Sequence, residues 1–338
     1  MKIADSKILV TGGAGFIGSH IVDSLVRAGA KVTVLDNLAF GTLDNLVQVR
    51  DDIRFVQGDI RDASLLERLA VGMDVISHQA AQLEIFLATS HPCWDLEVNT
   101  IGTLNVLEAA RKAGAAKVVN ASSACVYGQK DGPTAENDTR HPNWTYGVSK
   151  LAAEEYGRIY SQSKGVPVVS LRYAIVYGER EWYRRALPIF LRRVIEGQPP
   201  VVFGSGNQYR DFIHVSDVVA LHNQCLVSDT ADGQFLNVST GVGVTVGELA
   251  RTISKLFLNG QVLREDVSQG QTSTFVPGKR RNTDELKSMI LAPTKAETLL
   301  NWRPEVGLAE GLRREYDWAR ANPERWANIT YSDKGRNS

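Results

Sequence analysis

Thr11-Gly12-Gly13-Ala14-Gly15-Phe16-Ile17-Gly18 decides how the rest of this chain is read. Three glycines stand three apart, at Gly12, Gly15 and Gly18. A short apolar run, Lys7 to Thr11, precedes them. Phe16 to Ala28 follows, with Ile17, Ile21 and Leu25 at helical spacing and Gly29 as its stop. Strand, glycine turn and helix in that order make a dinucleotide-binding fingerprint. Gly12 permits the tight turn, Gly15 lets backbone N–H groups approach a pyrophosphate, and Gly18 lets the helix pack close to the sheet. A second β run, Lys31 to Asp36, ends on a carboxylate. There it accepts hydrogen bonds from an adenosine ribose and repels a 2′-phosphate, so the cofactor is read as NAD rather than NADP. Lys31 and Arg50 are the nearby cations, but Asn37 and Leu38 directly follow Asp36.

Outward from this turn, β runs alternate with helical ones. Ile53 to Gln57, Val75 to His78, Val118 to Ser122 and Val168 to Tyr173 read as strands, the last with Pro167 just before it. A helix signal from Thr100 to Ala110 is ended by Gly114. The pattern predicts an α/β fold, a Rossmann-type doubly wound parallel sheet with helices on both faces. After about Gly178 the elements shorten and arginines cluster, which reads as a smaller C-terminal α/β substrate lobe. The expected division is 1–178 for the cofactor domain, 179–327 for the smaller lobe and 328–338 for a polar tail. Parts of about 210–240 are expected to pack back on the first domain.

Composition bounds the function. Among 338 residues, 38 Lys and Arg balance 38 Asp and Glu, which argues against a general nucleic-acid or membrane-surface binder. No apolar run is long enough to span a bilayer, and the N-terminus lacks a signal-peptide core. Cys93, Cys125 and Cys225 are far apart and odd in number, which suits a reducing, cytoplasmic compartment. The six histidines have no metal-ligand spacing and read as structural or surface residues.

Tyr146-Gly147-Val148-Ser149-Lys150 begins a helix over Tyr146 to Ser161 and puts a phenol and an ammonium on one face. A nearby lysine and a cationic nicotinamide ring both favour the phenolate. Ser123, expected just past the fifth strand, is placed to hydrogen-bond the same substrate oxygen. These three are the candidate catalytic residues.

With these motifs in place, the chain resembles the extended short-chain dehydrogenase/reductase family, in its NAD-dependent sugar-nucleotide epimerase and dehydratase branch. Further matching segments are Gly58-Asp59-Ile60-Arg61-Asp62, His78-Gln79-Ala80-Ala81-Gln82, Asn99-Thr100-Ile101-Gly102-Thr103, Ser122-Ser123-Ala124-Cys125-Val126-Tyr127-Gly128 and Tyr209-Arg210-Asp211-Phe212-Ile213-His214-Val215. The resemblance implies Asp59 and Ile60 at the adenine and Ala80 and Ala81 beside the cofactor. It makes Tyr146 the acid/base, puts Lys150 on the nicotinamide ribose, and gives the sugar nucleotide's diphosphate Arg210 and Arg281. Phe16, Ile17, Asn37, Asn99 and Tyr173 are counted with the cofactor-binding residues.

The family's dehydratases need an acid and a base directly after the strand-5 hydroxyl residue. Here those places hold Ala124 and Cys125, so the stretch resembles the UDP-galactose 4-epimerase pattern. The expected reaction is therefore NAD-dependent 4-epimerisation of a UDP-hexose or UDP-hexuronate. The alternatives are a 4-ketoreductase or dehydrogenase, a decarboxylase or dehydratase, and an NAD-sensing regulator that would have no need of the base. Two departures fall in the sugar pocket: Ile175 in place of an asparagine and Glu179 in place of a proline. Glu84 reads more as a solvated loop carboxylate than as a sugar contact. Arg180, Arg184 and Arg185 read equally as a solvated helix face packed on Trp182 or as a clamp on a diphosphate or sugar carboxylate, with at most one or two of them expected to touch ligand. Apolar residues on several faces of the helices around Asn99 to Ala113 and Tyr146 to Ser161 suggest a homodimer.

Overall fold

The computed structural model describes residues 2–181, 183, 185–266, 273–275 and 286–327. Arg281 and the tail from Asn328 lie outside them. Seven strands form the central sheet: β1 (Lys7–Thr11), β2 (Lys31–Asp36), β3 (Ile53–Gln57), β4 (Val75–His78), β5 (Lys117–Ser123), β6 (Val168–Tyr173) and β7 (Phe235–Val238). Their spatial order is β7-β6-β5-β4-β1-β2-β3, and every neighbouring pair is parallel. The order reverses between β1 and β4, and a doubly wound sheet binds ligands in the crevice at such a point.

Side-chain alternation along the strands builds two cores. Ile8, Val10, Val32 and Val34 pack with Ile21, Val22 and Leu25 of helix Phe16–Arg27. Leu9, Leu35, Ile76 and Val118 pack with Leu66, Leu69, Val106 and Leu107 on the opposite face. The long helix signal begins as a wide turn over Glu97–Ile101 and continues as helix Gly102–Ala113. Gly114 ends it at φ 69°, where a side chain would be strained. Ser123 is the last residue of β5 rather than a residue beyond it, and the Tyr146 helix runs over Thr145–Ser163.

A second sheet joins Gly243–Thr245, Tyr209–His214, Ser288–Leu291 and Pro133–Thr134, with Ile175–Tyr177 beside Tyr209–His214. Helices Ala186–Ile195, Val246–Phe257 and Leu308–Ala321 enclose an apolar cluster of Leu187, Phe190, Leu191, Leu249, Ile253 and Leu312. The chain then returns to the first sheet. Helix Val215–Val227 packs on Phe16–Arg27, and β7 extends the sheet beyond β6. Among the described residues no helix is long and apolar enough to cross a membrane.

Candidate active site

A cleft of about 520 Å³ opens along the carboxyl ends of the strands. Its lining includes Gly12, Gly15, Phe16, Ile17, Gly18, Asp36, Asn37, Asp59, Ile60, Ala80, Ala81, Ser123, Tyr146, Lys150, Tyr173 and Arg210.

The glycine turn has no room for side chains. Gly12 lies at φ 70°, and a Cβ there would stand 2.5 Å from the backbone N of Ala80. A Cβ on Gly18 would stand 2.1 Å from the Gly12 carbonyl oxygen, so Gly18 closes the helix onto the turn itself rather than onto the sheet. Gly15 caps helix Phe16–Arg27 without a side-chain hydrogen bond. The N–H groups of that first turn therefore face the cleft as an anion cradle.

Asp36 is buried at the end of β2. Its carboxylate accepts from Ala14 N at 2.9 Å and from Leu38 N at 2.8 Å. Asn37 Nδ2 donates to Asp59 Oδ2 at 2.9 Å, and Arg61 grips both oxygens of Asp59 from Nε and Nη2. The carboxylate at β2 and the open cradle fit NAD: one binds ribose hydroxyls, the other a pyrophosphate. Lys31 stands at the far end of β2 from Asp36, away from this corner.

Asn99 does not line the cleft. Its side chain bonds Gln82 N, Gln82 O, Asp95 Oδ1 and Ser149 Oγ, and is 1% exposed. Such an amide shapes the wall from behind, through Gln82 of the cleft lining. Tyr173 does line the cleft, and its hydroxyl donates to Gln79 Oε1 at 3.0 Å.

Ser123, Tyr146 and Lys150 meet where β5 ends. Burial raises the Tyr146 phenol above its ordinary pKa, and the Cys125 thiol adds to this. The Ser123 hydroxyl beside the phenol pulls the other way. In the protein alone, burial outweighs every favourable neighbour and Tyr146 is a phenol. Lys150 itself is turned to β5, with Nζ 2.9 Å from the Ala121 carbonyl. Burial lowers its pKa to about 8, against the pull of Asp95 and Glu154. His78, fully buried between Thr11 Oγ1 and Thr103 Oγ1, is lowered to about 3 by burial and is a neutral structural residue.

Behind the pair lies a network that reasoning from the sequence missed. Arg172, fully buried, is bidentate to Glu154 at 2.9 and 2.7 Å and donates to the Tyr127 hydroxyl at 2.7 Å. Ser122 Oγ donates to the same carboxylate. A signal existed: Tyr146, Lys150 and Glu154 stand four apart, so Glu154 shares their buried helix face and needs a cation.

Glu84 is neither solvated nor in the cleft. It is 5% exposed and caps helix Ile85–Ser90, accepting from Leu87 N at 2.7 Å and from the Tyr183 hydroxyl at 2.8 Å. Ile175 lines the cleft, and Glu179 Oε2 lies 3.3 Å from His214 Nε2. Arg180 bonds Ser19 and Asp23 of the first helix, away from the cleft. Arg185 lines the cleft and is paired with Glu181, while Arg184 lies outside the described residues. Arg210 also lines the cleft, with Nη1 donating to the Tyr209 and Leu286 carbonyls.

The sequence profile of the NAD dependent epimerase/dehydratase family matches residues 8–239. The UDP-glucose 4-epimerase of Mycolicibacterium smegmatis is 35% identical over 322 residues, covering 93% of this chain and 98% of that protein. The Thermus thermophilus UDP-glucose 4-epimerase, solved in complex with NAD, superposes with a TM-score of 0.82 at 35% identity, covering 93% of this chain and 99% of that one. DesIV, a dTDP-glucose 4,6-dehydratase of Streptomyces venezuelae solved with NAD and TYD, reaches a TM-score of 0.86 at 30% identity, covering 96% of this chain and all of that one. With a dinucleotide cradle at the switch point and the matches running through both lobes, the chain belongs to the NAD dependent epimerase/dehydratase family.

Proposed function

We propose that the chain is a 4-epimerase of nucleoside-diphosphate sugars, acting on a UDP-hexose or UDP-hexuronate. The observation that carries this is the end of β5. Ser123 and Tyr146 both line the cleft there, and the next two residues, Ala124 and Cys125, have no carboxyl group for water loss. The curated UDP-glucose 4-epimerase relatives are 35–36% identical and the dehydratases 30–32%, and these two positions point the same way.

Bound NAD supplies a reversible hydride acceptor. Tyr146 exchanges the proton of the sugar 4-hydroxyl, and Ser123 holds the same oxygen by a hydrogen bond. Lys150 holds the nicotinamide ribose. The smaller lobe, residues 179–327, keeps the nucleotide through its diphosphate, with Arg210 at the cleft wall and Arg281 assigned by resemblance. The 4-keto sugar then turns over without leaving, and Tyr146 returns its proton to the other epimer.

We also assign a cytoplasmic homodimer. Cys93, Cys125 and Cys225 are all free thiols. Val148, Tyr156 and Ile159 are exposed along one side of helix Thr145–Ser163, and Ile101 is exposed at the start of the neighbouring helix. A two-fold helix bundle buries such a surface. A monomeric mass by light scattering at micromolar concentration contradicts the dimer.

The deciding assay mixes protein with UDP-glucose, UDP-galactose, UDP-glucuronate and their N-acetyl relatives without added NAD. Interconversion of two C4 epimers with a flat NADH absorbance is the expected result. Stoichiometric NADH with an accumulating keto sugar assigns a dehydrogenase instead.

A further inference from the structure

Tyr173 ends β6 beside Ser123, its register partner on β5, so it stands at the reacting end of the cleft. Gln79 follows β4, on the other side of β5, and the Tyr173 hydroxyl donates to its Oε1 at 3.0 Å. That bond is the first of a chain. Gln79 Nε2 donates to Ser77 Oγ at 3.2 Å, and Ser77 Oγ lies 2.8 Å from His222 Nε2. On the far side of the ring, Nδ1 lies 3.2 Å from Asn223 Oδ1, and Asn223 Nδ2 donates to Ser24 Oγ at 2.8 Å. The chain thus runs from the cleft to the two packed helices Phe16–Arg27 and Val215–Val227. Ser77 and His222 are fully buried.

The bonds all run one way. Asn223 turns an acceptor to Nδ1 of His222, so Nδ1 carries the ring proton and Nε2 accepts from the Ser77 hydroxyl. Burial lowers the His222 pKa to about 4, which keeps the ring neutral with one proton. Ser77, its own proton committed to the ring, takes the Gln79 amide as a donor, and this turns Gln79 Oε1 to Tyr173. Burial also pushes the Tyr173 phenol up, so the phenol keeps its proton and gives it to Gln79. What the chain presents to the cleft is the Tyr173 oxygen, with its lone pairs as acceptors.

The nicotinamide end of NAD carries an amide whose NH₂ donates and whose oxygen accepts. We propose that Tyr173 accepts a hydrogen bond from that NH₂, and that Gln79, Ser77 and His222 are positioning residues that commit the Tyr173 proton away from the cleft. Such a bond orients the amide, and the ring with it, beside Ser123. The reversed chain, with the ring proton on Nε2 of His222, turns the Tyr173 O–H toward the cleft and repels the NH₂.

The test reads cofactor choice rather than turnover. Protein is equilibrated with a mixture of NAD and its acetylpyridine analogue, in which a methyl group replaces the amide NH₂. Unbound dinucleotide is removed and the ratio retained is measured. Tyr173→Phe and Gln79→Leu should each lower the wild-type preference for NAD roughly threefold to tenfold, the scale of one hydrogen bond. Ser77→Ala and His222→Leu, which cut the chain farther back, should lower it in the same direction. His222→Gln can accept from Ser77 and donate to Asn223, so it should restore the preference. Thermal melts identify which variants are folded, and Ser77→Ala tests the chain without opening a large cavity. A wild-type preference retained in Tyr173→Phe overturns the amide contact. The same preference retained in folded Ser77→Ala overturns the positioning role of the chain. Wild type that retains neither dinucleotide overturns the cofactor assignment beneath both.

Discussion

Lys150 points its ammonium at the Ala121 carbonyl of β5, 2.9 Å away, with Asp95 and Glu154 as the nearby anions. Burial lowers its pKa to about 8. An unfolded lysine titrates near about 10.4, so between these values the unfolded chain binds a proton that the fold does not. Stability therefore rises with pH across that window, and below it the fold carries the whole penalty of a buried charge, about 3 kcal/mol at most. Lys150→Met should raise stability near neutral pH by up to that amount, less about 1 kcal/mol for the lost hydrogen bond. The gain should vanish by about pH 10 while activity is lost. Urea melts at the two pH values check this, and a methionine variant less stable at both contradicts it.

Tyr146→Phe removes the phenol beside Ser123 and should lower kcat by at least ~10²-fold, the scale of general acid–base loss. Ser123→Ala removes one hydrogen bond and leaves the proton path, so its loss should be smaller. Steady-state kinetics on both variants rank the roles. A serine variant slower than the phenylalanine variant reverses the assignment.

The cofactor half was legible because its signals are local. A strand, a glycine turn and a helix follow one another in sequence, and Asp36 closes the next strand. What escaped depends on partners distant in sequence. The return of the stretch of about 210–240 to the first domain is expected from the sequence, but that Phe235–Val238 becomes a strand, β7, depends on its pairing with β6. Glu84 reads as a loop carboxylate because its cap partner and Tyr183 appear only in three dimensions. Asn99 falls within a matching segment, but its hydrogen bonds turn it away from the cleft. Burial depth is likewise set by the whole fold, so the upward push on the Tyr146 pKa in the protein alone does not show in Tyr-x-x-x-Lys.

The wild-type protein should bind NAD more tightly than NADP, since Asp36 stands where a 2′-phosphate would be repelled. Asp36 also accepts two backbone N–H groups, which adds a structural role. Asp36→Ala should weaken NAD binding and narrow the preference. It should also destabilise the fold by about 1–3 kcal/mol through the orphaned donors. Asp36→Asn retains one acceptor oxygen and should lose less stability. Competition titrations of NAD against NADP, run beside thermal melts, separate the two effects. Tighter wild-type binding of NADP would falsify the cofactor assignment.

The Arg172–Glu154 pair ties helix Thr145–Ser163 to β6. Both side chains are fully buried, and Ser122 and Tyr127 complete the network. Removing one charge leaves the other stranded in the interior, which costs about 3–5 kcal/mol. Arg172→Met alone and Glu154→Leu alone should each lower the melting temperature sharply. The double substitution leaves no uncompensated charge, so its loss should be well below the sum of the singles. Residual activity should follow stability in this series, because neither residue lines the cleft. Additive losses in the double variant would show that the two side chains act separately. A double variant that regains stability but stays inactive would assign the pair to holding Tyr146 and Lys150 in register with Ser123.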